Sequence, residues 1–477
     1  MEHSEQPFSL DPDQTRALEL MLAGGNVYLG GRAGSGKSTV IEHFRELCTR
    51  RTAFLAPSGL AAININGSTI HRFFGFAAAP FPVEYRHCPE PRKREVIELV
   101  ETVVIDEISM VRSDLFEALT DTLCRFPLRG CDRMPFGGRQ VIVSGDFCQL
   151  PPVVCPGRES IRLMESFGGT FAFNTQAWQR ACFEPVWLRQ AHRQGTEREF
   201  VDALDAIRRG WHWCSEEELF RAIRWINRMA GNSREPGDCV VLCPTRRRVE
   251  EINAERDAEL ETPSHAFDAA IEGPFDTRIC PAEEQLSLRV GSRVMLVANG
   301  GTPDGTAYAN GDTGVVTRID AAKPDIDVLL NDGRRVTVGP HRWLEQEYRR
   351  VEDPDTGEET IKLVPVAALE QIPLKLAYAI TIHKSQGMTL SRVHVDLDTG
   401  AFESGQLYVA LSRCRSLAGL SLERPVQTRD VILAPEVRKF HQEVLMVEIP
   451  DSWLSSSVAI DVGEYSAGTC PAIQIVY

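Results

Sequence analysis

Asn26-Val-Tyr-Leu-Gly-Gly31-Arg-Ala-Gly34-Ser35-Gly36-Lys37-Ser38 runs from an apolar stretch into a glycine-rich loop, and Gly31 to Ser38 fits G-x-x-x-x-G-K-[ST]. Beyond it, Val40, Ile41, Phe44 and Leu47 predict a helix over Thr39 to Cys48, so the loop has the strand before it and the helix after it that this motif requires. Glycines let backbone N–H groups face a run of phosphates, and the helix N-terminus adds positive dipole. Gly31, Gly34, Ser35, Gly36, Lys37, Ser38 and Thr39 are therefore the candidate nucleotide contacts, with Lys37 reaching the β- and γ-phosphates and Ser38 ligating Mg²⁺.

The same punctuation recurs downstream. Phe54-Leu-Ala-Pro-Ser58, Thr102-Val-Val-Ile-Asp-Glu107 and Gln140-Val-Ile-Val-Ser-Gly-Asp146 are short apolar runs that each enter a polar loop. Such strands between helices indicate a parallel sheet covered on both faces. Asp106 is the candidate second Mg²⁺ ligand, and Glu107 beside it the candidate general base for an attacking water. Gln149, in Gly145-Asp-Phe-Cys-Gln-Leu-Pro-Pro152, puts an amide at a third strand end where it can sense a γ-phosphate. Cys239 to Thr245, Tyr378 to Gly387 and Arg392 to Asp398 repeat the pattern and predict a second α/β domain. Between the two sets, residues 291–374 alternate polar and apolar residues around NDG and DTGE turns, which predicts a small all-β insert of SH3-like size.

With 477 residues the chain has room for about three domains. Its 43% hydrophobic and 25% charged residues are those of a soluble multi-domain protein. Fifty-two Lys and Arg against 67 Asp and Glu leave a net charge of −15, so a polyanionic partner must meet a local basic groove rather than a blanket positive field. The acidic N-terminus has no apolar core of a signal peptide and no run of apolar residues is long enough to span a bilayer, so no membrane partner is expected. The 13 cysteines are scattered; the pair Cys239 and Cys243 lacks a second pair or a nearby His to complete a zinc site, and reduced thiols in a cytoplasmic protein are expected.

Taken in order, Leu10-Asp-Pro-Asp-Gln14, the phosphate loop, Ala56 to Phe76, Val104 to Met110, Pro135-Phe-Gly-Gly138 running on to Val153, Leu188 to Gln194, Ile380 to Leu390 and Tyr408 to Leu420 resemble the motif series of the Pif1-type helicases of superfamily 1B, with RecD-like helicases as relatives. The resemblance covers roughly residues 10–440. It implies two RecA-like parallel-sheet domains: residues 1–185 with a short insert at about 77–97, and residues 186–290 with 375–447, the β insert lying within the second. Residues 448–477 form a tail outside the resemblance. It further implies that Gln14 contacts the adenine of ATP, that Gln149 couples the γ-phosphate to the DNA side, and that Arg193 and Arg413 reach the γ-phosphate across the cleft. Ser58, Gly59, His71, Thr381, His383, Lys384 and Ser385 match positions that line a single-strand channel. Ser58 stands where Thr is usual and His192 where Phe is usual, and neither change removes a catalytic group.

Phe73 and Phe74 suit a core better than a base-stacking platform, His383 suits either a structural or a DNA role, and Arg92-Lys-Arg94 suits a solvated face as well as the displaced strand. The expected activity is that of an ATP-dependent, 5′-to-3′ DNA helicase acting in replication, repair or recombination, with G-quadruplex and RNA–DNA hybrid as further candidate substrates. Expected partners are single-stranded and tailed duplex DNA and single-strand-binding or replication proteins. A monomer, nucleoid-associated in a bacterium, is expected. A RecD-like subunit of a nuclease complex is the alternative, and a P-loop kinase or nucleotide-switched binding module a more distant one.

Overall fold

In the computed structural model the described residues are 10–77, 81, 85–155, 157–190, 198–232, 239–277, 280–301, 307–320, 323–352 and 357–444. The first domain is a six-stranded sheet of β1 (Val27–Gly31), β2 (Thr52–Ala56), β3 (Ser68–Thr69), β4 (Thr102–Ile105), β5 (Gln140–Gly145) and β6 (Glu184–Leu188), ordered β3-β2-β4-β5-β1-β6. Every neighbouring pair is parallel. Alternation along the strands sends Val27, Leu29, Phe54, Val104 and Ile142 to one face, against α1 (Pro12–Ala23) and α2 (Lys37–Leu47). Tyr28, Leu55, Val103, Ile105 and Val143 go to the other, against an aromatic-rich layer. Both faces are covered, which is why these strands read as unbroken apolar runs.

The second domain is a five-stranded sheet ordered Ala379–Thr381, Val240–Cys243, Val393–Val395, Leu420–Leu422 and Gly231–Asn232, again parallel throughout. Antiparallel structure separates its early and late strands. A five-stranded sheet (Arg335–Val338, Asp325–Leu330, Thr313–Asp320, Arg293–Leu296, Leu374–Leu376) surrounds Leu286, Leu288, Val294, Val316, Ile326, Val328 and Val336. The antiparallel region begins before the expected residue 291, because Ser264–Asp268 pairs with Gln285–Arg289 and lends Leu286 and Leu288 to that core. A long hairpin, His341–Glu352 with Glu359–Gln371, leaves this module and rests on the first domain. There the Tyr348 hydroxyl accepts the Phe54 N–H at 2.9 Å, Arg72 pairs with Glu345, and Lys93 pairs with Glu347.

The end of the chain returns to the first domain. The helix Pro435–Val444 was expected within the second domain by its place in the sequence, yet Phe440 stacks on Phe173 at 4.4 Å and meets Phe147, Tyr28 and Trp178 at 5.0, 5.7 and 5.7 Å. The segment Pro135–Gly138 serves the packing of the first domain. Phe136, Gly137 and Gly138 all have positive φ, and the turn brings Arg139 inside, where it donates to the carbonyls of Ile97, Leu123, Phe126 and Phe136. Burial lowers the Arg139 pKa to about 10. Residues 448–477 and part of 77–97 lie outside the described residues; within the latter, Pro91–Leu99 is a helix.

Phe440→Ala removes the ring that joins the last helix to the first domain, at a cost of about 3–5 kcal/mol. The thermal unfolding midpoint is expected to fall by several degrees; an unchanged midpoint would contradict this docking.

Candidate functional site

Residue choices in the phosphate loop follow from space. A Cβ on Gly31 would stand 2.4 Å from Ser35 Oγ, and Gly34 and Gly36 have φ of 79° and 85°, a region that favours glycine. Gly36 caps α2, whose first residues are Lys37 and Ser38. Lys37 Nζ donates to the Gly31 and Arg32 carbonyls at 2.7 and 3.1 Å, closing the loop on itself. Gln14 reaches the loop through a capping box: Gln14 N–H donates to Asp11 Oδ1 at 2.9 Å, Asp11 N–H donates to Gln14 Oε1 at 3.0 Å, and Gln14 Nε2 donates to the Ser35 carbonyl at 3.2 Å.

The carboxylates follow β4. Asp106 continues the strand, its N–H donating to the Leu55 carbonyl at 2.9 Å, and Glu107 turns out of line with φ 51° and ψ 46°. A left-handed non-glycine residue stores strain, and here it breaks the strand alternation that would send two adjacent carboxylates to opposite faces. Burial raises the Asp106 pKa; burial and then the Asp106 charge raise that of Glu107. Burial lowers the Lys37 pKa against the pull of Asp146, Glu107 and Asp106. Adjacent buried carboxylates whose pKa values burial raises, with the exposed Ser38 hydroxyl on the first turn of α2, are an oxygen donor set that fits Mg²⁺.

The second domain reaches this site with a residue outside the expected set. Gln386 Nε2 donates to Glu107 Oε2 at 3.1 Å. Its signal is present in Lys384-Ser-Gln-Gly387, one residue past the expected phosphate contacts, but a glutamine there has no evident chemistry until Glu107 is found beside it. Arg413 is almost fully buried within its own domain: Nε donates to the Val409 carbonyl at 3.0 Å, Nη2 to Ser412 Oγ at 2.9 Å, and Nη1 to the Ser385 and Met388 carbonyls. Its charge nevertheless lowers the Glu107 pKa, which puts it within electrostatic reach of the site. Gln149 is buried on the turn after β5. Arg193 lies outside the described residues.

The expected channel residues stand at strand ends. Ser58 and His71 follow the paired strands β2 and β3; Ser58 Oγ caps the short helix that Gly59 begins, accepting the Ala61 N–H at 3.3 Å. Burial and the nearby Arg112 lower the His71 pKa. Thr381 ends its strand and accepts the Lys384 N–H at 3.1 Å, His383 meets Glu403 at 2.9 Å, and Lys384 is exposed. Ser385 differs from expectation: it is fully buried and its hydroxyl donates to the Ile382 carbonyl at 2.7 Å, so it builds the turn rather than presenting a phosphate contact. Phe73 and Phe74 are core residues, Lys93 also donates to the Arg72 carbonyl at 2.6 Å, and Arg94 pairs with Glu98 at 2.8 Å.

Gln386→Leu withdraws a donor that favours the ionised Glu107, so the Glu107 pKa rises further. The acid limb of the pH–rate profile for nucleotide hydrolysis is expected to move to higher pH. An unmoved limb would contradict a role for the ionised Glu107.

Comparison with known proteins agrees with this geometry. Residues 10–217 match the model of the PIF1-like helicase family. The ATP-dependent DNA helicase PIF1 of Xenopus laevis is 34% identical over 86% of this chain, and this chain spans 61% of that protein's length. The ATP-dependent DNA helicase Pif1 of Campylobacter jejuni is 32% identical over 83% of this chain and 88% of its own length. Among solved structures, Pif1 from a Bacteroides species in complex with ADP-AlF4 superposes with a TM-score of 0.79 at 30% identity, covering 91% of this chain and 97% of that one. Bacteroides Pif1 bound to single-stranded DNA gives 0.64 at 31% identity over the same shares. With the motif series, both sheets and the shared cleft in agreement, the chain belongs to the PIF1-like helicase family.

Proposed function

We propose that this chain is an ATP-dependent DNA helicase that moves 5′-to-3′ along single-stranded DNA and opens duplex, acting as a monomer alongside single-strand-binding or replication proteins. The observation that carries the reading is the hydrogen bond from Gln386 to Glu107. One short turn of the second domain holds the exposed Lys384 and, two residues on, the amide that touches the candidate catalytic carboxylate. A change at the nucleotide is thereby a change at a candidate DNA contact.

In this mechanism Gln14 and the loop from Gly31 to Thr39 hold ATP, Lys37 leaves the Gly31 and Arg32 carbonyls for the phosphates, and Glu107 takes the proton of the attacking water. Ser38 and Asp106 would hold Mg²⁺, which when bound supplies charge for the phosphates. Arg413, with Arg193 as its expected companion, stabilises charge on the transferred phosphoryl from the second domain. Ser58, Gly59 and His71 grip the strand from the first domain, and Thr381, His383 and Lys384 grip it from the second. Closure on ATP and reopening after hydrolysis then advance one grip past the other.

Steady-state hydrolysis with and without single-stranded DNA tests the reading. The wild type is expected to be stimulated strongly by DNA, and Lys37→Ala to lose at least about a hundredfold in both conditions while remaining folded. On tailed duplexes, unwinding should require a 5′ single-stranded tail. Hydrolysis indifferent to DNA would contradict the motor, and unwinding from a 3′ tail alone would contradict the direction.

A further inference from the structure

The turn from Asp146 to Leu150 is gripped by both domains. The Asp146 carboxylate lies alongside the Arg208 guanidinium, with Nε to Oδ2 and Nη2 to Oδ1 each 3.0 Å. Arg208 stands on the helix Arg198–Trp213, which packs in the second domain's core, so this pair crosses the cleft; both side chains are 0% exposed. The guanidinium also lies over the Trp187 ring at 4.8 Å. Asp146 Oδ1 accepts the Cys148 N–H at 3.1 Å and the Asp146 carbonyl accepts the Gln149 N–H at 2.9 Å, so the residue that holds Arg208 also shapes the turn presenting Gln149.

Further contacts fix the turn to the second domain. Leu150 is buried in that domain's core, and a Cβ on Gly405 would stand 2.4 Å from the Cys148 and Gln149 carbonyl oxygens. On the nucleotide side, Asp146 is the foremost acidic neighbour opposing the fall that burial causes in the Lys37 pKa. Asp205, one helical turn before Arg208, pairs with Arg32 of the phosphate loop at 3.1 Å, and the Tyr408 hydroxyl accepts the Ala33 N–H at 3.1 Å.

A two-point guanidinium–carboxylate contact away from water has one good geometry, and parting it strands two charges. The turn and the helix therefore move together. We propose that Arg208 is a positioning residue that acts through Asp146: it places Gln149 relative to the nucleotide and, with the neighbouring Asp205–Arg32 contact, carries the state of the phosphate loop into the helix Arg198–Trp213. The inference rests on the helicase reading, because the coupling it describes is read out as DNA-dependent turnover.

Arg208→Lys keeps the charge but loses the fork, and Asp146→Asn keeps the shape, including an oxygen for the Cys148 N–H, but loses the charge. Hydrolysis is measured with and without single-stranded DNA, and affinity for a fluorescent ADP in parallel. In both variants the ratio of DNA-stimulated to DNA-free turnover is expected to fall about tenfold or more, while Arg208→Lys binds the fluorescent ADP within about threefold of the wild type. Loss of both rates in proportion, with the ratio kept, would mean a structural role and overturn the inference. Loss of ADP binding in step with the ratio would also overturn it, since the defect would then be occupancy. If Arg208→Lys fails to fold, Asp146→Asn carries the comparison of ratios. A wild type that DNA does not stimulate would overturn the helicase reading and this inference together; a stimulated wild type with unchanged variants would overturn this inference alone.

Discussion

Parallel strands deliver all their C-terminal ends to one edge of a sheet, and the placement of the phosphate loop, the carboxylates and the candidate DNA contacts depends on that constraint. β1 ends at the phosphate loop, β2 at Ser58, β4 at Asp106 and β5 at Asp146. In the second domain Val240–Cys243 leads to the helix cap Thr245, and Ala379–Thr381 to the turn of Lys384 and Gln386. Neither edge makes a complete site. Turned toward one another they share one cleft, in which backbone N–H groups, carboxylates and amides meet without any element having to leave its sheet.

What joins the two halves is unevenly distributed. Exposed ion pairs such as Arg16 with Glu184 and Arg221 with Glu217 lie within one domain each, join nothing across the cleft, and contribute little, each about 0–1 kcal/mol. The cleft contacts include desolvated ones, Arg208 with Asp146 and Gln386 with Glu107, beside Arg32 with Asp205 and Ala33 with Tyr408. Farther out, the hairpin that carries Tyr348 and the helix that carries Phe440 tie the insert and the chain's end to the first domain. The proposed motor needs this division, a cleft able to change state between two well-packed cores.

Much of this was legible in the sequence because it is local. The phosphate loop and the strand ending in Asp106 and Glu107 are written in consecutive residues whose spacing carries the chemistry, while the turn of Lys384 was marked only by the resemblance. What escaped depends on contacts between distant residues. Phe440 reads as one apolar position in a short helix, and only the fold shows it lying against Phe173 and Phe147. Ser385 reads as a channel hydroxyl, while in the folded chain the turn consumes it. Arg208 is one arginine among many until Asp146 is found beside it. The insert's start at Ser264 was hidden for a similar reason, since that strand acquires a partner only at Gln285–Arg289.

Hydrogen–deuterium exchange across the whole chain, with and without ADP-aluminium fluoride and single-stranded DNA, tests most directly whether the cleft works as one unit. The account predicts that protection changes together in the phosphate loop, the turn from Asp146 to Leu150, the helix Arg198–Trp213 and the turn of Lys384 and Gln386. Protection confined to the phosphate loop, with the helix Arg198–Trp213 and the Lys384 turn unaltered, would contradict it.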